Sequence, residues 1–260
     1  MTHSFAVCAY GDSPYLERCL RSLAGQTVSS EKLLCTATPS PFLERLAAQY
    51  GFRYCVRDGE PGIGADWNFA LYQASGDFVT LAHQDDVYAK HYAETLYRTA
   101  AAYPDLTLFT TDARILRDGR IQPRSKAEFV KKLLRVPLRL PLLSTCTAGK
   151  RLSLRFGNPI VCPSCAYRRD ALGEAPFSTS RRFVLDWELL WRLAAAGGRW
   201  VVAEQSLLLY RIHSGAATAA LTENHVRERE ERAMFRRMWP EPVTELLMRV
   251  YRSAYVDYGA

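Results

Sequence analysis

Asp85 and Asp86 stand side by side just behind an apolar run, Phe78–Leu81, with His83 and Gln84 directly before them. Two adjacent carboxylates at a strand terminus do no packing. Oxygen ligands of this kind suit Mg²⁺ or Mn²⁺, ions that typically bridge a carboxylate to a diphosphate. The plainer alternative is a helix N-terminus, where acidic side chains are favoured by the dipole. Further along, Asp186 opens a helix-like stretch, and Arg211 and His213 follow a strand-like one. An isolated carboxylate such as Asp186 can serve as a general base or merely cap its helix. Arg211 and His213 can support phosphates or a metal, or be a salt bridge and a satisfied loop histidine.

The elements that must position these residues alternate between strand and helix. Ser4–Ala9 reads as a strand, and Ser13-Pro14 opens a helix with Leu16, Cys19, Leu20 and Leu23 at helical spacing. Lys32–Thr38 reads as the second strand, followed by a helix from Pro41 that Gly51 stops. Phe52–Val56 is the third strand, and a helix carrying Trp67, Ala70, Leu71 and Ala74 follows a glycine-rich turn. This order implies βαβ units, a parallel sheet and ligands beyond the carboxyl ends of its strands. Three polar clusters fall at those ends: Tyr10-Gly11-Asp12, Thr36–Ser40 and His83–Asp86.

The second half is less regular. The pattern predicts a helix over Tyr88–Tyr103, a strand near Leu106–Thr110 and a hairpin at Asp118-Gly119. Asn158–Tyr167 reads as extended, Val184–Ala196 as a helix closed by Gly197-Gly198, and Trp200–Ala203 as the start of a strand. A charged helix is expected over Thr222–Met238, with further helical packing behind it.

Composition sets the outer bounds. With 260 residues, 48% hydrophobic and 23% charged, the chain has an ordinary globular balance that excludes wholesale disorder. No apolar run reaches the roughly 18–20 residues of a membrane-spanning helix, and no secretory signal is evident. The seven irregularly spaced cysteines read as reduced, mostly buried thiols. Cys162 and Cys165 have no partner pair at metal-binding spacing, and the glycines at 59, 62 and 64 form no dinucleotide or P-loop signature. The expected location is cytoplasmic, with peripheral contact on the inner face of the membrane.

Charge is unevenly spread. The net +7 conceals a segment, Gly119–Arg169, that alone carries +11, against −4 for the remainder. Such a patch favours an anionic partner. Few aromatics are interleaved there, which argues against nucleic acid. Lys126, Lys131, Lys132, Arg135 and Arg139 alternate with leucines and Val136, a mixture suited to an anionic membrane surface, unless the leucines pack on the core.

Taken in order, the motifs resemble family 2 glycosyltransferases of the GT-A fold. The opening Phe5–Leu16 through Ser22–Thr27, and the path from Gly62–Asn68 through Gly76–Val79 to His83–Tyr88, resemble the family's approach to its aspartate-x-aspartate motif. Asp186–Leu193 resembles the region of its catalytic base, and Tyr210-Arg211-Ile212-His213 with Thr218 its C-terminal Arg-x-His signature. The resemblance implies an α/β fold with a Rossmann-like mixed sheet flanked by helices and a C-terminal helical segment. It divides the chain into a nucleotide-sugar half (1–115), an acceptor half (116–218) and a helical extension (219–260).

The implied reaction is inverting, metal-dependent transfer of a sugar from a UDP- or dTDP-sugar to the hydroxyl of a saccharide or lipid-linked saccharide, in cell-surface polysaccharide or glycolipid synthesis. The alternative is a nucleotide-sugar-binding protein of the same fold without turnover. By the resemblance Asp186 is the base, and Asp85 and His213 hold Mn²⁺ or Mg²⁺. Tyr10, Asp12, Thr38, Asn68, Gln84, Asp85, Asp86 and Arg211 bind the donor. Two departures stand out: His83 occupies the first position of the aspartate-x-aspartate motif, and Thr36–Ser40 lacks the acidic residues that often read the base.

Overall fold

A computed structural model of the chain describes residues 1–254. Residues 255–260 of the expected helical extension lie outside the described residues. The first half is built of β1 (His3–Ala9), α1 (Leu16–Ala24), β2 (Glu31–Thr36), α2 (Pro41–Tyr50), β3 (Arg53–Val56), α3 (Ile63–Gln73) and β4 (Phe78–His83). β1 lies between β2 and β4, and all four strands run parallel. Period-two alternation along β1 sends Ala6 into the core on one face and Phe5 and Val7 into the core on the other. α2 is capped at one end by Ser40, whose hydroxyl accepts from Leu43 N, and at the other by Gly51 at φ 70°.

β5 (Val87–Tyr88) and α4 (Tyr92–Ala102) follow, then β6 (Leu106–Arg117) and β7 (Arg120–Ile121), joined by the Asp118-Gly119 hairpin with both residues at positive φ. After them come α5 (Lys126–Leu134), α6 (Thr147–Leu154), β8 (Ala166–Arg168), α7 (Leu185–Leu193) and β9 (Arg199–Arg211). The C-terminal helices are α8 (Ala217–Glu223), α9 (Val226–Arg236) and α10 (Glu241–Ala254). One mixed sheet runs β3-β2-β1-β4-β8-β6-β9-β5, with β8 antiparallel to both its neighbours and β6 parallel to β9. Only residues 84–86 separate β4 from β5, yet β5 sits at the far end of that order. The sheet therefore curls, and the end of β9 returns beside the end of β4.

Several boundaries differ from the sequence reading. α1 starts at Leu16, because the Ser13 hydroxyl is engaged by Tyr15 N in a turn ahead of the helix. β2 ends at Thr36, whose hydroxyl accepts from Thr38 N. Val87 and Tyr88 are strand rather than helix, paired with Leu209 and Leu208. Within 158–167 only β8 is extended, since Cys162–Ser164 forms a 3₁₀ turn around Pro163. The single charged helix is broken in two at His225, which stands at φ 54°.

Candidate active site

The curl brings together residues far apart in sequence. β5 pairs with β9 through Val87↔Leu209, so Asp86 and Arg211 face each other at the end of the ladder. Arg211 N donates to Asp86 Oδ1 at 2.8 Å, and its Nε donates to the Asp85 carbonyl at 2.8 Å. The Arg211 guanidinium lies over the Tyr15 ring, 4.4 Å from its centroid. Beyond Arg211 the chain delivers His213, whose ring packs against that of Tyr15 with centroids 4.6 Å apart.

His213 Nε2 stands 3.1 Å from Asp85 Oδ2, without the alignment of a hydrogen bond. Ser13 Oγ donates to the other oxygen, Asp85 Oδ1, at 3.2 Å. Asp86 is 1% exposed and its Oδ2 has no hydrogen-bond partner among the described residues. Burial pushes the Asp86 carboxyl well above the usual range, against the pull of Arg211. An imidazole nitrogen and carboxylate oxygens left without hydrogen bonds fit a hard divalent cation.

The other expected donor residues divide into two kinds. Tyr10 is exposed at the end of β1, and its backbone N–H and carbonyl are both bonded by the Gln84 carboxamide, at 3.0 and 3.2 Å. Gln84 thus staples the ends of β1 and β4 together. Thr38 Oγ1 accepts from Gly11 N at 2.8 Å, and Asp12 Oδ1 accepts from Ser40 Oγ at 2.6 Å. These bonds fix the two loops bounding the strand ends. Asn68, also expected to bind the donor, is engaged elsewhere in this structure. Its carboxamide is spent at both ends on the Phe177 backbone, at 2.8 and 2.9 Å, so it braces α3 against the segment leading to α7. Gly64 serves the same seam: a Cβ there would lie 2.1 Å from the Ser178 carbonyl oxygen.

His83 closes β4. Its ring stacks on Trp67 with centroids 5.3 Å apart, and burial lowers its pKa to about 4, leaving a neutral imidazole. The position is an aromatic seat rather than a carboxylate.

Asp186 lies in the first turn of α7, half-buried. Its Oδ2 accepts from Asn158 Nδ2 at 2.8 Å and its Oδ1 from Trp187 N at 2.8 Å. Removal from water raises its pKa to about 6, tempered by the Trp187 N–H, by Lys131 and by Asn158. A carboxylate held near neutrality suits proton acceptance. The start of α7 is itself pinned by Glu230 of α9, whose carboxylate accepts from the backbone N–H groups of Arg182, Phe183 and Val184.

Sequence reasoning missed Ser13, Tyr15, Trp67, Asn158 and Glu230. The first three lie inside the quoted motifs, but their partners are distant in sequence. Nothing local marks Asn158 or Glu230.

This sheet order, with acidic residues at the end of β4 and a carboxylate at the head of α7, is the GT-A arrangement. TarS 1-349 from S. aureus in complex with UDP-GlcNAc superposes with a TM-score of 0.64 at 17% identity, over 95% of this chain and 70% of that one. The mannosyltransferase PcManGT from Pyrobaculum calidifontis, in complex with GDP-Man and Mn²⁺, gives 0.65 at 15% identity, over 94% and 67%. Among curated relatives, the putative glycosyltransferase EpsH of Bacillus subtilis (strain 168) is 27% identical over 144 residues. That match spans 50% of this chain and 42% of EpsH. The model of glycosyl transferase family 2 matches residues 4–174. The chain belongs to family 2 of the glycosyltransferases.

Proposed function

We propose that the protein is an inverting glycosyltransferase that moves a sugar from a UDP- or dTDP-sugar to the hydroxyl of a saccharide or lipid-linked saccharide. The observation that carries this reading is the convergence of Asp85, Asp86, Arg211 and His213 at one end of the sheet, with Asp186 poised as a base on α7. Residues 1–115 form the donor half and 116–218 the acceptor half in this account. Asp186 takes the proton of the acceptor hydroxyl as its oxygen bonds to the anomeric carbon, and the bond from that carbon to the nucleotide diphosphate breaks on the opposite face. Asp85 and His213 would hold Mn²⁺ or Mg²⁺, which supplies positive charge to the leaving diphosphate. Among the described residues no group of three or more His, Cys, Asp or Glu side chains is gathered as a metal site; Asp85 and His213 are the pair that would contribute to one. Arg211, held by Asp86 and Tyr15, adds a fixed cation at the same end.

Among the described residues no helix is long and apolar enough to cross a membrane. Support for a peripheral contact comes from α5. Phe129 is 70% and Leu133 62% exposed, Leu142 beyond the helix is 83% exposed, and Lys126 shares the face of Phe129. We read this face as touching the anionic inner surface of the membrane, in a cytoplasmic enzyme of cell-surface polysaccharide or glycolipid synthesis. The cations assigned to that surface from sequence are not all there. Arg135 and Lys132 turn inward to Asp112, at 2.8 and 3.6 Å.

A thermal-shift screen of UDP-, dTDP- and GDP-sugars, with and without Mn²⁺, tests the donor assignment. Stabilisation by a UDP- or dTDP-sugar that depends on Mn²⁺ is expected. Indifference to every nucleotide would contradict it.

A further inference from the structure

α5 is an inverted amphipathic helix. Lys126, Phe129, Val130 and Leu133 share its outer face, whereas Glu128, Lys131, Lys132 and Arg135 share its inner one. That inner face closes a pocket against Asp112–Ile115 of β6, Pro159, Val161 and Tyr210. A helix buries its charged side only where something compensates the charge.

The compensation inside the protein is incomplete. Asp112, at the bulge between β6 and β9, is met by Arg124, Lys132 and Arg135. Arg135 is 2% exposed, and while its Nη2 binds Asp112, its Nε and Nη1 have no hydrogen-bond partner among the described residues. Arg114 donates through Nη2 to the Gln122 carbonyl, and its buried Nε likewise has no hydrogen-bond partner among the described residues. Among the described residues four cations (Arg114, Arg124, Lys132 and Arg135) thus stand around two carboxylates, Asp112 and Glu128, a formal excess of two, and of these cations Arg114 and Arg135 line the pocket itself. Glu128 keeps one oxygen on Ser125 N, and the other is a buried acceptor without a donor.

The pocket adjoins the base. Pro159 follows Asn158, which holds Asp186, and Lys131 is close enough to Asp186 to favour its charged form.

We propose that this pocket binds an anionic group of the acceptor, a phosphate or a carboxylate, and so places the acceptor hydroxyl at Asp186. The proposal rests on the glycosyl-transfer reading above. Unpartnered guanidinium N–H groups of Arg114 and Arg135 meet the anion, as charge-assisted bonds of this kind do elsewhere. The free oxygen of Glu128 accepts from a neighbouring sugar or polyol hydroxyl. A neutral saccharide would leave the buried guanidinium groups unsatisfied.

Calorimetric titration of the full chain with glycerol 1-phosphate, glucuronate and neutral glucose tests this, with UDP in Mn²⁺ titrated into the same samples. At least one anionic probe is expected to bind about tenfold or more tightly than glucose. Phosphate-only binding identifies a phosphorylated acceptor, and glucuronate-only binding an acidic sugar. Arg114→Gln and, separately, Arg135→Lys should weaken that binding about tenfold while UDP affinity is kept, which also verifies that each variant is folded. Equal binding of anionic and neutral probes would overturn the proposal, as would either variant holding the anion like the wild type. Failure of the glycosyl-transfer reading would show separately, as wild-type protein that does not bind UDP.

Discussion

Asp85 Oδ2 and His213 Nε2 lie 3.1 Å apart without a hydrogen bond between them. One ends the path from β4, and the other ends the path from β9. They meet because β5 locks Val87 and Tyr88 onto Leu209 and Leu208. In the proposed reading this carboxylate and imidazole would together hold the cation, and Ser13 holds the carboxylate from its other side.

Replacing Asp85 with Ala should abolish the Mn²⁺-dependent part of UDP binding, because His213 alone coordinates a hard cation poorly beside a diphosphate. The fold should persist, since the residue lies in the turn after β4. Calorimetry with UDP, with and without Mn²⁺, measures both terms. Wild-type Mn²⁺ dependence in Asp85→Ala would move the metal site elsewhere.

The base assignment carries a pH signature. Asp186 works only when ionised, and its pKa is raised to about 6. Transfer should therefore rise with pH through about 6 and level off above it, rather than near the ordinary aspartate value of about 3.9. Asn158 donates to Asp186 and favours the charged form, so Asn158→Ala should move this acid limb to higher pH. A pH–rate profile at saturating donor gives the answer. A limb that stays in place in Asn158→Ala would show that another group controls it.

The outer face of α5 makes its own prediction. Phe129→Ser together with Leu133→Ser should reduce sedimentation with anionic phospholipid vesicles and leave UDP binding intact, because both side chains are exposed. Binding of the wild type should weaken with salt, through Lys126 and its neighbours. Equal indifference of wild type and variant to anionic and neutral vesicles would leave a soluble acceptor as the better reading.

Much of the donor half could be read from the sequence, for a physical reason. Parallel strands alternate with amphipathic helices, caps such as Ser40 and Gly51 mark the ends, and the candidate site residues of this half fall at strand termini. Asp85, Asp86 and Asp186 stood out as candidates because carboxylates in such places have no packing role. What escaped was set by long-range pairing. Tyr88 looked helical but is strand, because its partner Leu208 lies far along the chain. Asn68 looked like a ligand-binding amide, yet its bonds go to Phe177. The leucine-rich basic segment, left open in the sequence between exposed and core-packed leucines, divides: Leu133 and Leu142 are exposed and Leu138 is buried. Only the structure shows that Lys132 and Arg135 answer Asp112 from the opposite side of the helix. Glu230, which pins the head of α7 from α9, carries no local signal.

The most direct test of the whole account is Asp186→Asn, assayed for sugar transfer and for donor binding on the same preparation. The amide is nearly isosteric and its oxygen can still accept from Trp187 N, which keeps the head of α7 in place, while its NH2 group meets Asn158, whose carboxamide must turn to accept from it. It cannot take up a proton from the acceptor. Transfer should fall by about 10²–10⁴-fold, the usual cost of losing a general base, with the affinity for UDP in Mn²⁺ unchanged. Near-normal transfer by Asp186→Asn would contradict the account and send the search for the base to another carboxylate, beginning with Glu188.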